Sequence, residues 1–427
     1  MKAVVSALGV AVAALSCSSY SLADEATSYD PSLQLTYKNY VWKDKRKAPA
    51  GTSYEDDEWV HALLATFDTG YIHNMGVVVT AGVADPLSTG DNFSHVPEKT
   101  KNGPGHSIAG FQQGYLKGRY TWDDFRFDGS LGVKKRGYKL YSDSGSRVLG
   151  ASSRGLDLSA GYRDFDLYLG WINGHSRRNH SRFSGDLTAD YIASGAENSD
   201  AKVDGVGIIG AGYSWKGLEL AIEYMDADEL LRKNFYQGIY TWNLAENKSL
   251  VFDLHYGQAR SGGVLHSDPN YRSSYYLMNT KFNIAGAYAA VGYGRTMDGN
   301  WDDASDGDYN AGNFSQPSEW ASYNFEGERS YLLGAGYDFS GVGVSGLHWD
   351  LAWAQGSNAK RYTGFKRREL SSYISYAFGG KLDGLSLSWL YANYKVKADA
   401  AADADVAVVN GRVRGSEFNL EYTLSVF

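Results

Sequence analysis

The sequence has almost no cysteine. Its 427 residues contain one, Cys17, which lies within an N-terminal stretch that we expect to be removed. The remaining chain then has no thiol that could form a disulfide. An exported protein of this kind depends on backbone pairing and burial for its stability instead.

That N-terminal stretch, 1–23, has the three parts of a secretory signal peptide. Lys2 supplies an early positive charge, an apolar run covers 3–15, and Ser21-Leu22-Ala23 forms a small-x-small cleavage site. An uncleaved anchor is the alternative, but the apolar run is shorter than the roughly 20 residues that span a membrane. The predicted organisation is therefore a signal peptide at 1–23 and one domain at 24–427.

An excess of positive charge and long apolar runs are also missing. The chain has 41 basic and 49 acidic side chains and a formal net charge of −8. This balance argues against nucleic-acid binding, which depends on a basic surface. No segment after residue 23 approaches the length of a membrane helix. The mean hydropathy of −0.39 fits a soluble β protein or a transmembrane barrel with strands apolar on one side only.

What the chain has in abundance is alternation of polar and apolar residues. In GLSLSWLYANYKV (384–396), Leu385, Leu387 and Trp389 fall on one face of an extended strand, whereas Ser386 and Ser388 fall on the other. Eighteen segments show such a pattern: 32–42, 59–67, 77–83, 116–120, 125–133, 156–162, 165–171, 206–214, 218–224, 235–242, 250–256, 274–282, 287–293, 331–339, 347–353, 370–378, 385–391 and 418–426.

Short and long connections alternate between these segments. Short turns such as 163–164 and 215–217 alternate along the chain with long polar stretches. This rule is typical of outer-membrane barrels and would not be expected of a soluble β-sandwich, which is the alternative. The predicted fold class is all-β: a transmembrane antiparallel β-barrel of 18 strands with long extracellular loops and short periplasmic turns.

A barrel in the cell outer membrane makes such strands stable. The apolar face meets hydrocarbon, the polar face meets water in the lumen, and closure pairs every backbone donor and acceptor. At roughly 16 to 18 strands an aqueous bore remains. A passive diffusion channel for small hydrophilic solutes is therefore predicted, with an outer-membrane enzyme or a surface adhesin as alternatives. The sequence contains no GxSxG, and no glutamate separates His175 from His180, so we predict no catalytic residue.

Several segments resemble one known family. PSLQLTYKNYVWKDKR (31–46) and EWVHALLATFDTGYIHNMGVVVTAGVADPL (58–87) resemble the first strands of the OprD-type substrate-specific outer-membrane porins of Gram-negative bacteria, which include enterobacterial-type chitoporins. YSDSGSRVLGASSRGLDL (141–158) is similar to the family's constriction-loop segment, and EGERSYLLGAGYDFSGVGVSGL (326–347) to its YDF-containing strand, turn and strand. The resemblance implies a monomer whose loops fold inward to form a narrow eyelet, where basic side chains guide small nutrients that often bear a carboxylate.

Basic side chains on the inward phase of the strands could guide solutes in this way, since a narrow water column between low-dielectric walls focuses their electric field. The candidates on strands are Lys38, Arg119, Arg126 and Lys134. The candidates in the segment that resembles the constriction loop are Arg147 and Arg154, with Tyr141, Asp143 and Ser144 beside them. An arginine fork can offer a carboxylate two parallel hydrogen bonds. The alternative for each arginine is a solvated rim charge or a contact with lipopolysaccharide.

One departure from the family pattern concerns the solute. Family members that transport carboxylates tend to have arginines where this chain has Ser386, Ser388 and Leu390. The thinner basic row makes a neutral sugar or chito-oligosaccharide the second prediction. Tyr40 and Trp42 could then act as a stacking surface, although such rings more often belong to the interfacial girdle.

No cofactor or metal is predicted. The acidic residues at 298–308 lack the glycine and glutamate spacing of an EF-hand, so a solvated loop is the preferred interpretation. The expected partners are small hydrophilic solutes, outer-membrane lipid and lipopolysaccharide, without nucleic acid.

Overall fold

The protein is described from a computed structural model. The structure describes residues 30–47, 53–89, 106–145, 147–178, 183, 185–302, 315–401 and 411–427. The predicted signal peptide lies outside these residues. So do residues 303–308 of the acidic loop.

Eighteen long strands form the wall. Their bounds are Ser32–Lys47 (β1), Ser53–Asp68 (β2), Met75–Thr89 (β3), Ile108–Trp122 (β4), Phe125–Lys134 (β5), Ser152–Tyr162 (β6), Phe165–Ser176 (β7), Val206–Trp215 (β8), Leu218–Ala227 (β9), Leu231–Ala245 (β10), Lys248–Ser261 (β11), Arg272–Ile284 (β12), Ala287–Met297 (β13), Arg329–Asp338 (β14), Leu347–Ser357 (β15), Lys366–Ala377 (β16), Leu385–Lys397 (β17) and Gly411–Ser425 (β18). Each of the eighteen predicted segments corresponds to one of these strands.

The sheet closes on itself. Every strand pairs antiparallel with the next one along the chain, and β1 pairs with β18 from Gln34 opposite Ser425 to Lys47 opposite Arg412. Closure leaves no strand edge unpaired, which the hydrocarbon of a membrane requires. The predicted 18-stranded antiparallel barrel is confirmed.

Side chains alternate between the two faces of the wall as the sequence predicts. Outward apolar residues such as Leu131 and Val291 are 56% and 55% exposed, whereas their inward neighbours on the strands are polar or covered by loops. The exposed row is stable because it faces lipid hydrocarbon. Trp389, which the sequence places in this row, indeed lies on the outward face.

Most strands extend further toward the long loops than the alternation predicts. For example, β4 begins at Ile108 although the pattern is visible only from Leu116, and β1 pairs with β2 as far as Lys47 opposite Ser53. Polar residues occupy both faces at this end of β1, and in β4 a bulge at Gln112 shifts the phase, so the period of two is hidden while the backbone ladder continues. At the other end, three predicted segments end one residue too late, at Phe339, Phe378 and Val426.

The short connections are tight. Lys216 and Gly217 link β8 to β9 with φ angles of 45° and 86°, the left-handed pair that a two-residue hairpin turn needs. In the described ranges, the helices are a four-residue α1 (Ala189–Ile192) and two 3-10 turns (Phe339–Val342 and Gly380–Leu382). Two-residue strands occur at Gly185–Asp186, Tyr362–Thr363 and Ala400–Ala401. Among the described residues, no helix is long and apolar enough to cross a membrane.

The interior of the barrel is filled unevenly. The largest buried apolar cluster joins Leu140, Leu187 and Tyr191, from segments between strands, to inward side chains of the wall such as Ile172 and Phe235. The side of the lumen bounded by β7 to β10 is therefore packed. The remaining space lies toward β1 and β16–β18.

Candidate functional site

The segment between β5 and β6, residues 135–151 without residue 146, is here called the constriction loop because it crosses the lumen. Its first part is tied to the wall below it by Arg136. The guanidinium donates to the Asp157 carboxylate at 3.0 Å and to the carbonyl oxygen of Gly132 at 3.2 Å. Arg136 also donates to Ser153. These contacts fix where the loop leaves β5.

The next residues of the constriction loop reach β9, three strands along the wall from β6. The backbone N–H groups of Lys139 and Leu140 donate to the Glu223 carboxylate on β9 at 3.0 and 2.5 Å. The Tyr168 hydroxyl donates to the same carboxylate at 2.6 Å. A loop inside the lumen has no strand ladder for its donors, so a carboxylate that accepts several of them stabilises this path.

Asp143 holds the loop in its folded shape. Its carboxylate accepts from the Arg136 N–H at 2.8 Å, from the Ser153 hydroxyl at 2.7 Å, and from the hydroxyls of Tyr141 and Tyr191 at 3.1 and 2.9 Å. Burial raises the pKa of Asp143 above its ordinary value, and the hydrogen bonds from Arg136, Ser153 and Tyr191 act in the opposite direction. Asp143 therefore acts first as an anchor of the loop.

The far end of the constriction loop packs on the wall near its beginning. Val148 and Leu149 are buried among Val60, Ala62 and their neighbours on β2 to β4. Arg147 lies just before this apolar contact and is itself buried. The loop thus leaves an opening only against β1 and β16–β18.

A second segment, residues 315–328, covers the wall above that opening. The Glu369 carboxylate on β16 accepts the backbone N–H groups of Trp320 at 2.8 Å and Ala321 at 3.3 Å, and also that of Glu319. The Trp320 ring packs edge-on against Trp42 at 5.4 Å. Trp42 is only 1% exposed as a result, so it offers no surface to a solute.

The opening is a cavity of about 530 Å³. Residues of β1, of the constriction loop and of the last three strands line it: Lys38, Asn39, Tyr40, Lys135, Ser142, Asp143, Gly145, Arg147, Val148, Tyr373, Ser375, Ser386, Leu387, Ser388, Glu417, Asn419, Leu420 and Glu421. We call this cavity the eyelet.

The charges around the eyelet balance. Three basic residues, Lys38, Lys135 and Arg147, face three acidic ones that include Glu417 and Glu421. Lys38 Nζ lies 3.2 Å from Glu421 Oε2. Burial lowers the pKa of Lys135, and the positive charge of Lys38 lowers it further.

The wall of β16 and β17 at the eyelet is neutral. Tyr373, Ser375, Ser386 and Ser388 present hydroxyls, and no basic side chain of these two strands lines the cavity. Leu390, which follows on the inward phase, is buried instead. The thinning of the basic row that the sequence suggests is thus present in the structure at this place.

The structure brings three predicted site residues together at the eyelet: Lys38, Asp143 and Arg147. Tyr141 and Ser144 belong to the same loop but are buried away from the cavity wall. The Tyr141 hydroxyl is occupied by Asp143. These two residues support the loop and do not line the opening.

Three other predicted residues point inward elsewhere in the lumen. Lys134 lies 3.4 Å from the Asp157 carboxylate, and Arg126 lies 3.0 Å from Asp166. The Arg119 guanidinium stacks on the Tyr71 ring at 4.0 Å. Their inward phase agrees with the sequence, but partners compensate each of these charges.

Arg154 is different, because it lies on the outward face. β6 begins at Ser152, so Arg154 is a strand residue in the same phase as the exposed Leu156 and Leu158. Its guanidinium donates to the side chain and the backbone carbonyl of Asn173, both at 3.0 Å. The expectation that Arg154 lines the eyelet is corrected by this placement.

Sequence reasoning missed half of the charged residues of the eyelet. Lys135 follows a predicted strand by two residues, and Glu417 and Glu421 alternate with the apolar row Phe418, Leu420 of β18. The polar residues that alternate with this apolar row could have been identified from the sequence as facing the lumen. The structure also corrects the solvated-loop interpretation at Asp302, which is a buried acceptor. His175 is buried against the Tyr191 ring at 4.1 Å, and His180 lies outside the described residues.

Asp302 ties three loops together. It accepts from the Ser194 N–H at 2.7 Å and from the Gly195 N–H at 3.1 Å, and its Oδ2 lies 3.2 Å from His266 Nε2. Within the described ranges, no group of three or more His, Cys, Asp or Glu side chains could hold a metal ion. The Asp302 contacts are those of a structural anchor.

Comparison with known proteins decides the family. The model of the outer membrane porin, OprD family, matches residues 140–410. The chain belongs to the OprD family. No curated protein matches it.

Solved structures of OprD-type porins share the fold. Pseudomonas aeruginosa OccK9 (OpdG) aligns with a TM-score of 0.80 at 18% identity, over 94% of this chain and 100% of that chain. Pseudomonas aeruginosa OpdK with vanillate aligns with a TM-score of 0.77 at 18% identity, over 93% of this chain and 99% of that chain. Acinetobacter baumannii OccAB2 aligns with a TM-score of 0.77 at 18% identity, over 95% of this chain and 100% of that chain.

Membership of the family sets the general function. OprD-family proteins are outer-membrane porins, so this chain is a passive channel of the outer membrane and not an enzyme. The enzyme and adhesin alternatives are thereby removed. As a porin, it transports small solutes and lies in the lipid of the outer membrane.

Proposed function

We propose that the chain is a substrate-selective diffusion channel for small hydrophilic nutrients, namely amino acids or other small carboxylates, which pass through the eyelet. The observation that supports this most is the presence of Lys38, Lys135 and Arg147 around one cavity of about 530 Å³. Such cations attract a carboxylate, and the planar fork of Arg147 can bind both of its oxygens.

Within this class, amino acids fit the eyelet best. A purely basic opening would favour any anion, but Glu417 and Glu421 lie beside the basic groups. An amino acid has an ammonium group for these carboxylates and a carboxylate for the cations. A dicarboxylate would gain from the cations and lose through repulsion by the glutamates.

A structural neighbour is consistent with a carboxylate-bearing solute. OpdK was solved with vanillate, which has one carboxylate group, and its barrel has the same fold as this chain. At 18% identity the similarity concerns the fold, so the proposal depends on the residues of this eyelet and not on OpdK.

A neutral sugar or chito-oligosaccharide is the second candidate. The hydroxyls of Ser375, Ser386 and Ser388 favour it because they can bind sugar hydroxyls without charge. The burial of Trp42 beneath Trp320 counts against it, since Tyr40 is then the one ring of the expected stacking pair that lines the eyelet.

Solute-induced blocking of single channels tests the proposal. In planar bilayers we expect glycine and other amino acids to interrupt the current at lower concentrations than chito-oligosaccharides of similar length. Arg147→Gln should weaken blocking by a carboxylate about fivefold to tenfold, as expected for one lost charge-assisted hydrogen-bond pair. Arg163→Gln, in an exposed turn, removes the same charge away from the eyelet and should change nothing.

The proposal fails if every carboxylate blocks the Arg147→Gln channel at the same concentration as it blocks the native channel. Stronger blocking by chito-oligosaccharides than by amino acids would favour the sugar channel instead. We also propose that each chain forms its own pore as a monomer, because its eighteen strands close into a complete barrel through the pairing of β1 with β18. Closure of the whole conductance in one step is the expected record.

A further inference from the structure

The outer wall has a dense row of basic side chains at its extracellular end. On three neighbouring strands, six such residues face away from the lumen, and we call them the basic rim patch: Lys366, Arg368, Lys395, Lys397, Arg412 and Arg414. Their inward neighbours Arg367, Glu369 and Val396 are buried, which shows the alternation clearly. The patch therefore belongs to the membrane side of the barrel and has no part in the eyelet.

The register places like charges directly opposite one another. Arg368 is paired with Lys395, and Lys395 with Arg412 on the next strand. Lys366 is also opposite Lys397. Side chains directly opposite in an antiparallel pair lie only about 4.5–5.5 Å apart at Cβ, and like charges there destabilise the sheet. Three such pairs side by side call for anions from outside the chain.

The described residues do not supply these anions. In the described part of the structure, none of the six patch residues has a carboxylate within 4.0 Å; the patch contact found there is that of Arg412 Nε with Asn393, at 3.2 Å. The neighbouring strand shows the contrast. Lys43 and Lys45 on β1 also face outward, but Asp57 and Glu55 of β2 neutralise them at 3.1 and 2.6 Å.

The height of the patch indicates what the anions are. On the same outward face, Leu370 lies two residues below Arg368, and Phe418 lies four residues below Arg414. At about 3.3 Å per residue, the charges stand roughly 7–13 Å above the edge of the apolar belt. That is where the phosphates of a lipid in the outer leaflet lie, and long basic side chains can reach them.

We propose that the basic rim patch is a binding site for the phosphate groups of a phosphorylated glycolipid of the lipid A type in the outer leaflet. The three strands offer a surface wide enough for more than one phosphate. Its arginines can each bind a phosphate through two parallel hydrogen bonds, and its lysines add point charges. The acyl chains would lie against the apolar residues below.

The test compares two variants that each lose three positive charges. Arg368→Gln/Lys395→Gln/Arg412→Gln removes the connected row of the patch. The control, Lys216→Gln/Lys248→Gln/Lys381→Gln, removes exposed lysines from the periplasmic end of the barrel. Binding of bisphosphorylated lipid A, and of the same lipid A after phosphatase treatment, is measured on the full chain in detergent.

We expect the patch variant to bind bisphosphorylated lipid A on the order of a hundredfold more weakly, because each basic side chain near an anionic lipid surface contributes about fivefold. The control variant should bind as the native protein does. The dephosphorylated lipid should bind all three proteins equally weakly.

A second measurement does not depend on the ligand. Without lipid A, the patch variant should unfold at a higher temperature than the native protein, since two of the three like-charge pairs, Arg368 with Lys395 and Lys395 with Arg412, are gone. Added lipid A should then raise the unfolding temperature of the native protein more. Unchanged conductance in phosphatidylcholine bilayers will show that the variant is folded.

Equal lipid A affinity of the patch variant and the native protein would overturn the proposal, as would an equal loss in the control variant. Competition by phosphatidylglycerol at the same concentration would show a general preference for acidic lipid and refute the assignment to a glycolipid. Displacement of lipid A by an equal concentration of inorganic phosphate would likewise refute it.

Discussion

Replacing Glu421 by glutamine should make the channel more selective for anions. Glu421 neutralises Lys38 across 3.2 Å at the wall of the eyelet, and both side chains are partly exposed to the water of the lumen. The substitution keeps the size of the side chain and removes its charge. Lys38 then loses its ion-pair partner at the wall of the eyelet.

The size of the effect follows from the distance of closest approach. An anion that passes about 5 Å from the Lys38 ammonium gains about 0.8 kcal/mol in a water-like dielectric, and about 3 kcal/mol at an effective dielectric constant of about 20. The lower figure applies because the pair is a third to nearly half exposed and is screened by water. It corresponds to about a fourfold rise in relative chloride permeability.

The reversal potential across a planar bilayer in a dilute KCl gradient measures this ratio. Lys38→Gln should shift it toward potassium, and the double variant should return close to the native value, since the two charges cancel. In 1 M KCl the Debye length falls to about 3 Å, so the differences should nearly vanish. An unchanged reversal potential in Glu421→Gln, or a shift toward potassium, would refute the charge-balanced eyelet.

Three further predictions follow from the same contacts. Because burial and Lys38 lower the pKa of Lys135, chloride preference should fall as the pH rises toward the ordinary value of 10.5, and Lys135→Gln should abolish this titration. While it is charged, Lys135 destabilises the folded chain, and this penalty is relieved as the pH rises toward 10.5 because the unfolded chain still binds the proton; the stability of the native chain should therefore rise with pH relative to Lys135→Gln, and a fall of that difference in chemical unfolding would contradict this. Ser388→Arg should restore a basic residue to the neutral wall, raise chloride preference about fourfold and reduce the single-channel current; equal current and selectivity would argue that this wall does not border the ion path. Trp42→Ala should cost roughly 3–5 kcal/mol in detergent-based unfolding, because it leaves a void beneath Trp320, and a loss below 1 kcal/mol would indicate that the second lumenal segment does not rest on it.

The strands could be predicted from sequence because their signal is local. A period of two needs only neighbouring residues, and lipid on one side with water on the other makes the period strict. The same rule placed Lys38, Arg119 and Arg126 on the inward face before any contact was known. It fails at the extracellular strand ends, where both faces of β1 are polar and where β4 continues eight residues beyond the visible pattern past a bulge at Gln112.

The error at Arg154 has the same origin. With β6 starting at Leu156, Arg154 belongs to a loop and could point into the lumen. The strand in fact starts at Ser152, and from that point the parity of the position alone decides its side. An even residue in this strand shares the face of Leu156 and Leu158, which is the lipid face.

The direction of the loops could not be predicted, because it depends on contacts between distant residues. Leu140 meets Glu223 across 83 positions in the sequence, and Ser194 meets Asp302 across 108. Neither carboxylate stands out from the other inward polar residues of its strand or loop. Their role becomes visible only when the barrel has closed and set the opposite walls face to face.

These carboxylates explain why the eyelet has a defined shape. Glu223, Glu369 and Asp302 each accept two or three backbone N–H groups from segments that have no strand partner inside the lumen. An unsatisfied buried donor costs about 1–3 kcal/mol, so each anchor replaces several such penalties at once and holds its segment to one path. The apolar side chains of the same segments then fill the lumen toward β7–β10. What remains open is the part of β1 and β16–β18 that lies below the second segment, so the anchors on β9 and β16 determine which strands a solute meets.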